Sequence, residues 1–257
     1  MTAGDCADDC VRLSVHDSGV AEILIDRPER HNAMTLAMYR RLLAHIDTCC
    51  HQPAVRAVLF KGAGGRTFIS GTDIGHFKDF RTSAEGIAYE AFVEEVINAV
   101  ERMAVPTIAV VDGWAVGGGL ALATACDFRV ASTGSNFGAP IAKTLSNTLS
   151  SRNIARLIAA LGVPRVKRLL LLAEHLSAQD ALQCGFVHST CDSSELDELA
   201  HGLAHRLMQL SAVTQRAVKE SMRRIVVEQR QEDHDLIGAV YTSGAFRDGV
   251  AKFLARA

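Results

Sequence analysis

Residues 106–130 limit how this chain can fold more than any other stretch. Pro106 introduces an apolar run, Thr107 to Val111, which ends at Asp112-Gly113. Trp114-Ala115-Val116 leads to Gly117-Gly118-Gly119, then to the apolar segment Leu120 to Cys126 and a further run from Phe128. The pattern predicts strand, tight glycine turn, buried helix, strand. Consecutive glycines at a strand-to-helix junction let backbone approach a ligand where a Cβ would block it. The first helical turn also offers free N–H groups at the positive end of the helix dipole. Together these suit an oxyanion that develops during a reaction. The same residues could serve simply as a packing turn, because a glycine cluster is only punctuation.

A second stretch favours the first reading. Residues 55–61 have the composition of a buried strand, and Gly62-Ala63-Gly64-Gly65-Arg66-Thr67-Phe68-Ile69-Ser70-Gly71-Thr72-Asp73-Ile74 follows. Strand then glycine loop thus occurs twice, about 45 residues apart, and each loop runs towards a helix. Two such loops can present two backbone N–H groups to one carbonyl oxygen. Neither is a phosphate loop: Thr67 breaks G-x-G-x-x-G, and no G-x-x-x-x-G-K-[ST] is present.

Ile69-Ser70-Gly71-Thr72-Asp73-Ile74 resembles the A-G-x-D-[IL] loop of the enoyl-CoA hydratase/isomerase (crotonase) superfamily. Gly113 to Gly119 resembles its G-x-A-x-G-G-G signature. Further segments resemble the same family: residues 25–34 (with Asp26 in place of Asn), 137–141, 176–187 and 246–256. The resemblance covers nearly the whole chain. It implies an α/β fold, a crotonase-like spiral of repeated β-β-α units with a C-terminal helical region that trimerises. Periodicity alone gives only α/β with a helical tail. The expected divisions are a loose tail at 1–10, a core at 11–192 and a helical region at 193–257. A homotrimer or a dimer of trimers is the implied assembly.

Within this frame, residues 11–15 and 20–25 predict a hairpin, and Thr35 predicts the cap of a helix to His51. Helices are predicted at 84–103, 153–161, 163–173, 194–209, 212–230, 231–243 and 246–257. Composition narrows the function classes. The net charge of −2 implies no basic surface for nucleic acid, and the densest basic stretches, 165–168 and 219–224, read as solvated helix faces. Seven scattered cysteines make no disulfide framework, so a reducing, cytoplasmic compartment is expected. The N-terminus has no secretory signal pattern, and no apolar run reaches membrane-spanning length.

The resemblance implies a CoA thioester substrate, no prosthetic group and no metal. The oxyanion donors would be the backbone N–H groups of Thr72 and Gly118. It also implies CoA contacts from Arg27, His31, Ala33, the backbone of Ser70, Gly71, Asp73 and Ile74, and Gly117. Phe253 and Arg256 would close the adenine–phosphate end, of the same subunit or of a neighbouring one. For several of these a plainer role stands beside the functional one: strand-end geometry for Arg27, helix capping for Asp73, interface packing for Phe253. The family's two hydratase glutamates would fall at positions 121 and 141, which are Ala121 and Ile141. Water addition by two glutamates is therefore not expected. His76 and Asn147 are candidate replacements, the first as an acid/base near neutrality and the second to position water. His201 and His205 share a helical face, but position 202 is Gly, so H-E-x-x-H fails. The expected chemistry is enolate stabilisation with double-bond isomerisation or a non-standard hydratase/lyase step. The alternatives are an acyl-CoA hydrolase, decarboxylase or dehalogenase, or a non-catalytic binding homologue.

Overall fold

Successive strands of each repeat go to two different sheets. The computed structural model describes residues 10–255. A hairpin of β1 (Val11–Val15) and β2 (Val20–Ile25) leads through a 3-10 turn at Pro28–Arg30 to α1 (Leu36–His51). The next unit is β3 (Ala57–Gly62), β4 (Thr67–Ile69) and α2 (Ser83–Glu101). Then come β5 (Thr107–Val111), β6 (Trp114–Val116) and α3 (Gly118–Ala125). The last full unit is β7 (Phe128–Ser132), β8 (Asn136–Gly138) and α4 (Ser151–Leu171). A shorter set, β9 (His175–Ser177), α5 (Ala178–Gln183) and β10 (Ser189–Cys191), closes the core. One sheet has the order β1-β2-β3-β5-β7-β10 and the other β4-β6-β8-β9. From β2 to β10 the first sheet is parallel. The expected spiral of β-β-α units is therefore present. Its central strands are continuous apolar runs because both faces are covered; all five residues of β5 are buried.

The helices start where their caps say they should. Thr35 Oγ1 accepts from Met38 N–H at α1, and Thr82 with Glu85 forms a reciprocal capping box at α2. The two helices expected at 153–161 and 163–173 meet end to end as α4, with Gly162 at φ +76 forming the kink before Pro164. Beyond the core lie α6 (Leu196–Met208), α7 (Ala212–Arg223), α8 (His234–Tyr241) and α9 (Gly244–Leu254). The helix expected to run from 212 to 230 instead widens into a π-turn at Arg224–Glu228 and stops at Gln229, φ +53. The helix expected from 246 begins at Gly244, because Ser243 Oγ accepts from Phe246 N–H.

Two apolar layers flank the large sheet. α1 to α4 pack on one side with the main core. On the other, Val20, Leu59, Ile108, Val110 and Val130 meet Leu196, Ala200, Leu203 and Leu207 of α6. α8 and α9 bury none of their residues, and Tyr241, Phe253 and Leu254 stand exposed. A polar cluster joins α2 to α4. Arg156, only 3% exposed, donates to Glu101 Oε2 at 3.0 Å, Asn98 Oδ1 at 2.7 Å and Asn153 Oδ1 at 2.9 Å. Its Nη1 also lies 2.9 Å from Glu94 Oε1, close enough for an ion pair but not aligned as a hydrogen bond. The tail at 1–9 and Arg256 lie outside the described residues.

Candidate active site

The site begins with Asn32, buried at φ +55. Its Oδ1 accepts from Arg27 N–H, and its Nδ2 donates to Ala63 O at 2.9 Å and Thr67 O at 2.6 Å. One side chain thus fixes the loop before α1 against the loop between β3 and β4. Below it, Met34 N–H donates to Gly71 O and Asp73 N–H donates to Met34 O. Backbone groups alternate in direction along an extended segment. With 71 and 73 bonded to Met34, the N–H of Thr72 points to the opposite side, towards α3.

The three glycines of α3 have separate jobs. Gly117 is at φ +55, ψ −116, a conformation that side chains disfavour. A Cβ at Gly119 would lie 2.1 Å from Ile69 O, so the helix can seat on β4 only without one. Gly118 is the first helical residue, and its N–H has no acceptor within the helix. A Cβ on Gly71 would lie 3.6 Å from Gly118 N. The two glycine loops therefore meet, with Gly71 beside the first N–H of α3.

Two tyrosine hydroxyls reach this junction. Thr72 Oγ1 is 3.0 Å from Tyr39 Oη and 2.6 Å from Tyr89 Oη. Burial raises the Tyr39 phenol above its ordinary value and pushes that of Tyr89 up to about 12. Both stay protonated at neutral pH and serve as donors, not bases. Three hydroxyls make two mutual hydrogen bonds, so one O–H remains to donate outside the chain. Tyr39 Oη would lie 2.8 Å from a Cβ at Gly118. Gly118→Ala is accordingly expected to cost about 1–3 kcal/mol by overpacking. In a Tyr39→Phe background the obstructing oxygen is gone. The two changes together should cost less than the sum of the singles in denaturant unfolding; strict additivity would contradict the placement.

Asp73 is held by two partners. Its Oδ2 accepts from Arg27 Nη1 at 2.7 Å and its Oδ1 from Gly75 N–H at 3.0 Å. The Arg27 hydrogen bond, then that from Gly75, holds its carboxyl below the usual carboxylate range. Asp73 thus caps the 3-10 turn Ile74–Phe77, and Arg27 also donates to Ala33 O at 3.0 Å. His31, at φ +52, is exposed, while its carbonyl accepts from Ser70 N–H. Ile74 is 63% exposed, so its side chain is open to a ligand. Gly117 N–H donates to Gly138 O at 3.0 Å.

His76 is half-buried among rings, 5.1 Å from Phe80, 5.7 Å from Phe77 and 5.8 Å from Tyr89, centroid to centroid. Ala121 is buried one turn into α3, and Ile141 is half-buried after Pro140. Asn147 lies exposed in the stretch 142–148, and the structure gives it no partner in the site. Phe253, 75% exposed on α9, is likewise not brought to the site within this chain. His201 is engaged elsewhere, 2.8 Å from Glu22 Oε1. Among the described residues no cluster of three or more His, Cys, Asp or Glu could hold a metal ion, and no helix is long and apolar enough to cross a membrane.

Sequence reasoning missed Tyr39, Tyr89 and Glu90. Glu90, on α2 beside Tyr89, accepts from Ser150 N–H at 3.1 Å. Only the scarcity of tyrosine hints at the first two: the chain has three, and two of them converge on Thr72.

Comparisons with known proteins show the family and the fold. The enoyl-CoA hydratase/isomerase family model matches residues 16–256. The chain belongs to the enoyl-CoA hydratase/isomerase family. It is 31% identical over 205 residues to a short-chain-enoyl-CoA hydratase of Clostridium acetobutylicum, spanning 80% of this chain and 78% of that one. It is 28% identical over 250 residues to the human ethylmalonyl-CoA decarboxylase, spanning 94% of this chain and 80% of that one. Among solved structures, a putative enoyl-CoA hydratase/isomerase family protein from Hyphomonas neptunium superposes with a TM-score of 0.86 at 27% identity, covering 96% and 95% of the two chains. The fold of this family member is thus the crotonase fold, with helices at its C-terminus.

Proposed function

We propose that this chain binds an acyl-CoA thioester and stabilises its enolate between the backbone N–H groups of Thr72 and Gly118. The meeting of the two glycine loops, with Gly71 set against Gly118 N, is the observation that carries this reading. The remaining O–H of the Tyr39–Thr72–Tyr89 chain supplies a further neutral donor for the same charge. Proton transfer without net water addition, namely double-bond isomerisation, comes first; a non-standard hydratase/lyase step shares the same enolate. Water addition by two carboxylates is not supported, since the corresponding positions are Ala121 and Ile141.

A second reading is decarboxylation. Departure of carbon dioxide leaves the electron pair behind and needs no base. The hydroxyl-lined hole and the similarity to a decarboxylase favour it. The backbone around Ala33 and Gly71 would bear on CoA. Arg27 would act there through shape, because Asp73 already pairs its charge. The exposed apolar residues of α8 and α9 support burial of this region in an assembly, a homotrimer or dimer of trimers in this reading, with Phe253 closing the CoA site of this subunit or a neighbour.

Incubation of a panel of saturated, 2-enoyl, 3-enoyl and malonyl-type CoA thioesters in D₂O, read by NMR and mass spectrometry, tests both readings. Deuterium at C2 and C4 with migration of the double bond supports isomerisation. Loss of carbon dioxide with one deuterium at C2 supports decarboxylation. Binding of every thioester without exchange or product would sink both.

A further inference from the structure

Resting on the enolate reading above, we propose that Glu90 is the base that carries the proton in this site, delivered from α2 in place of the carboxylates absent at 121 and 141. Glu90 follows Tyr89, whose hydroxyl is 2.6 Å from Thr72 Oγ1, so this turn of α2 lies against the oxyanion loop. Its carboxylate reaches across to the start of α4, where Oε2 accepts from Ser150 N–H. α3, which bears Gly118 and Ala121, packs against both α2 and α4. Glu90 therefore bridges α2 and the start of α4, the two helices on which α3 packs.

Glu90 is also surplus to the structure it touches. The start of α4 is capped by Ser150 Oγ, which accepts from Asn153 N–H at 3.2 Å and donates to Glu94 Oε2 at 2.9 Å. Glu94 and Glu101 face Arg156, whereas no cation pairs with Glu90 among the described residues. Its Oε1 carries no hydrogen bond there. Desolvation by burial, opposed by the Ser150 bond and helped by the neighbouring Glu94, raises its carboxyl above the ordinary value. The ionisable groups around it are Tyr39 of α1, and Tyr89 and Glu94 of α2. A half-buried carboxylate with no cation partner, on the helical turn whose tyrosine bonds Thr72, has the properties of a general base.

In isomerisation of a 3-enoyl thioester, Glu90 takes a proton from C2. The C2–H bond breaks, an O–H bond forms on the carboxylate, and the electron pair passes to the thioester oxygen held by Thr72 and Gly118. The same carboxyl then returns the proton to C4. The pair comes back from oxygen, and the double bond settles between C2 and C3. Nothing is consumed, and Glu90 ends ionised.

Glu90→Gln tests this, because the amide oxygen still accepts from Ser150 N–H while the proton acceptor is lost. We expect C2 exchange and double-bond migration to fall by about 10²–10⁴-fold. Acyl-CoA affinity by calorimetry and the unfolding midpoint should stay near wild type, and Glu90→Asp should restore part of the rate. Wild-type exchange in folded Glu90→Gln overturns the assignment but leaves the enolate reading, provided that removing the Gly118 N–H still abolishes exchange. Absence of exchange in the wild-type chain overturns the assignment, and absence of both exchange and loss of carbon dioxide overturns the enolate reading as well. A Glu90→Gln variant that fails to fold, while Glu90→Asp folds without activity and also without acyl-CoA affinity, would mark Glu90 as a structural cap and overturn the assignment.

Discussion

Removal of the Gly118 N–H is expected to lower enolate formation by about 10²–10³-fold, the usual loss for one oxyanion donor. Proline is the substitution that removes it, and the first helical position tolerates proline because its N–H has no intrahelical partner. A Cβ at 118 meets Tyr39 Oη at 2.8 Å, so the direct variant would mix two effects. The informative comparison is Tyr39→Phe/Gly118→Pro against Tyr39→Phe/Gly118→Ala. Both add a Cβ in the same place, and only one lacks the N–H. A difference of the stated size in C2 deuterium exchange, with similar acyl-CoA binding, assigns the loss to the donor. Equal rates would show that Gly118 N–H does not hold the developing charge.

Arg156→Leu is expected to destabilise the fold by about 3–5 kcal/mol, the range for breaking a buried ion pair from one side. The change strands Glu94 and Glu101 in the interface between α2 and α4, where Arg156 now faces both. Burial already raises the Glu101 carboxyl above its ordinary value, with Arg156 the largest opposing influence. Without Arg156 the upward shift grows. A carboxyl whose pKa is higher folded than unfolded contributes stability below its unfolded pKa, and loses that contribution as pH rises through the folded value. The penalty of Arg156→Leu should therefore be smaller near pH 5 than near pH 8, read from urea midpoints at the two pH values. A penalty independent of pH would show that the carboxylates escape to solvent in the variant. Replacing Arg156, Glu94 and Glu101 together by apolar residues should cost less than Arg156→Leu alone.

The glycine loops were legible in the sequence because their geometry is written in residue type. Gly117 must adopt a positive φ, and Gly119 must let α3 approach Ile69 O. The repeat of strand and loop gave only α/β, since buried parallel strands read as unbroken apolar runs, and the spiral came from the family resemblance. Asp73 was legible as a cap, and its second partner, Arg27, lies 46 residues away. The hydroxyl chain was not legible. Tyr39 and Tyr89 sit on α1 and α2, 33 and 17 residues from Thr72, at helical positions whose pattern signals only packing. Glu90 reads as a solvated helical charge until α4 folds against it, and Asn147, which looked suited to hold water, lies exposed. The boundaries beyond residue 223 were misplaced because a π-turn leaves no residue-type signature, while Gly162 and Pro164 did mark the kink in α4.

The most direct test of the account is a crystal structure of the chain with a saturated short-chain acyl-CoA bound. The account predicts the thioester oxygen within about 2.7–3.1 Å of both Thr72 N and Gly118 N, with C2 facing the Glu90 carboxylate. A thioester oxygen bound away from these two nitrogens, with the acyl chain entering elsewhere, would contradict it.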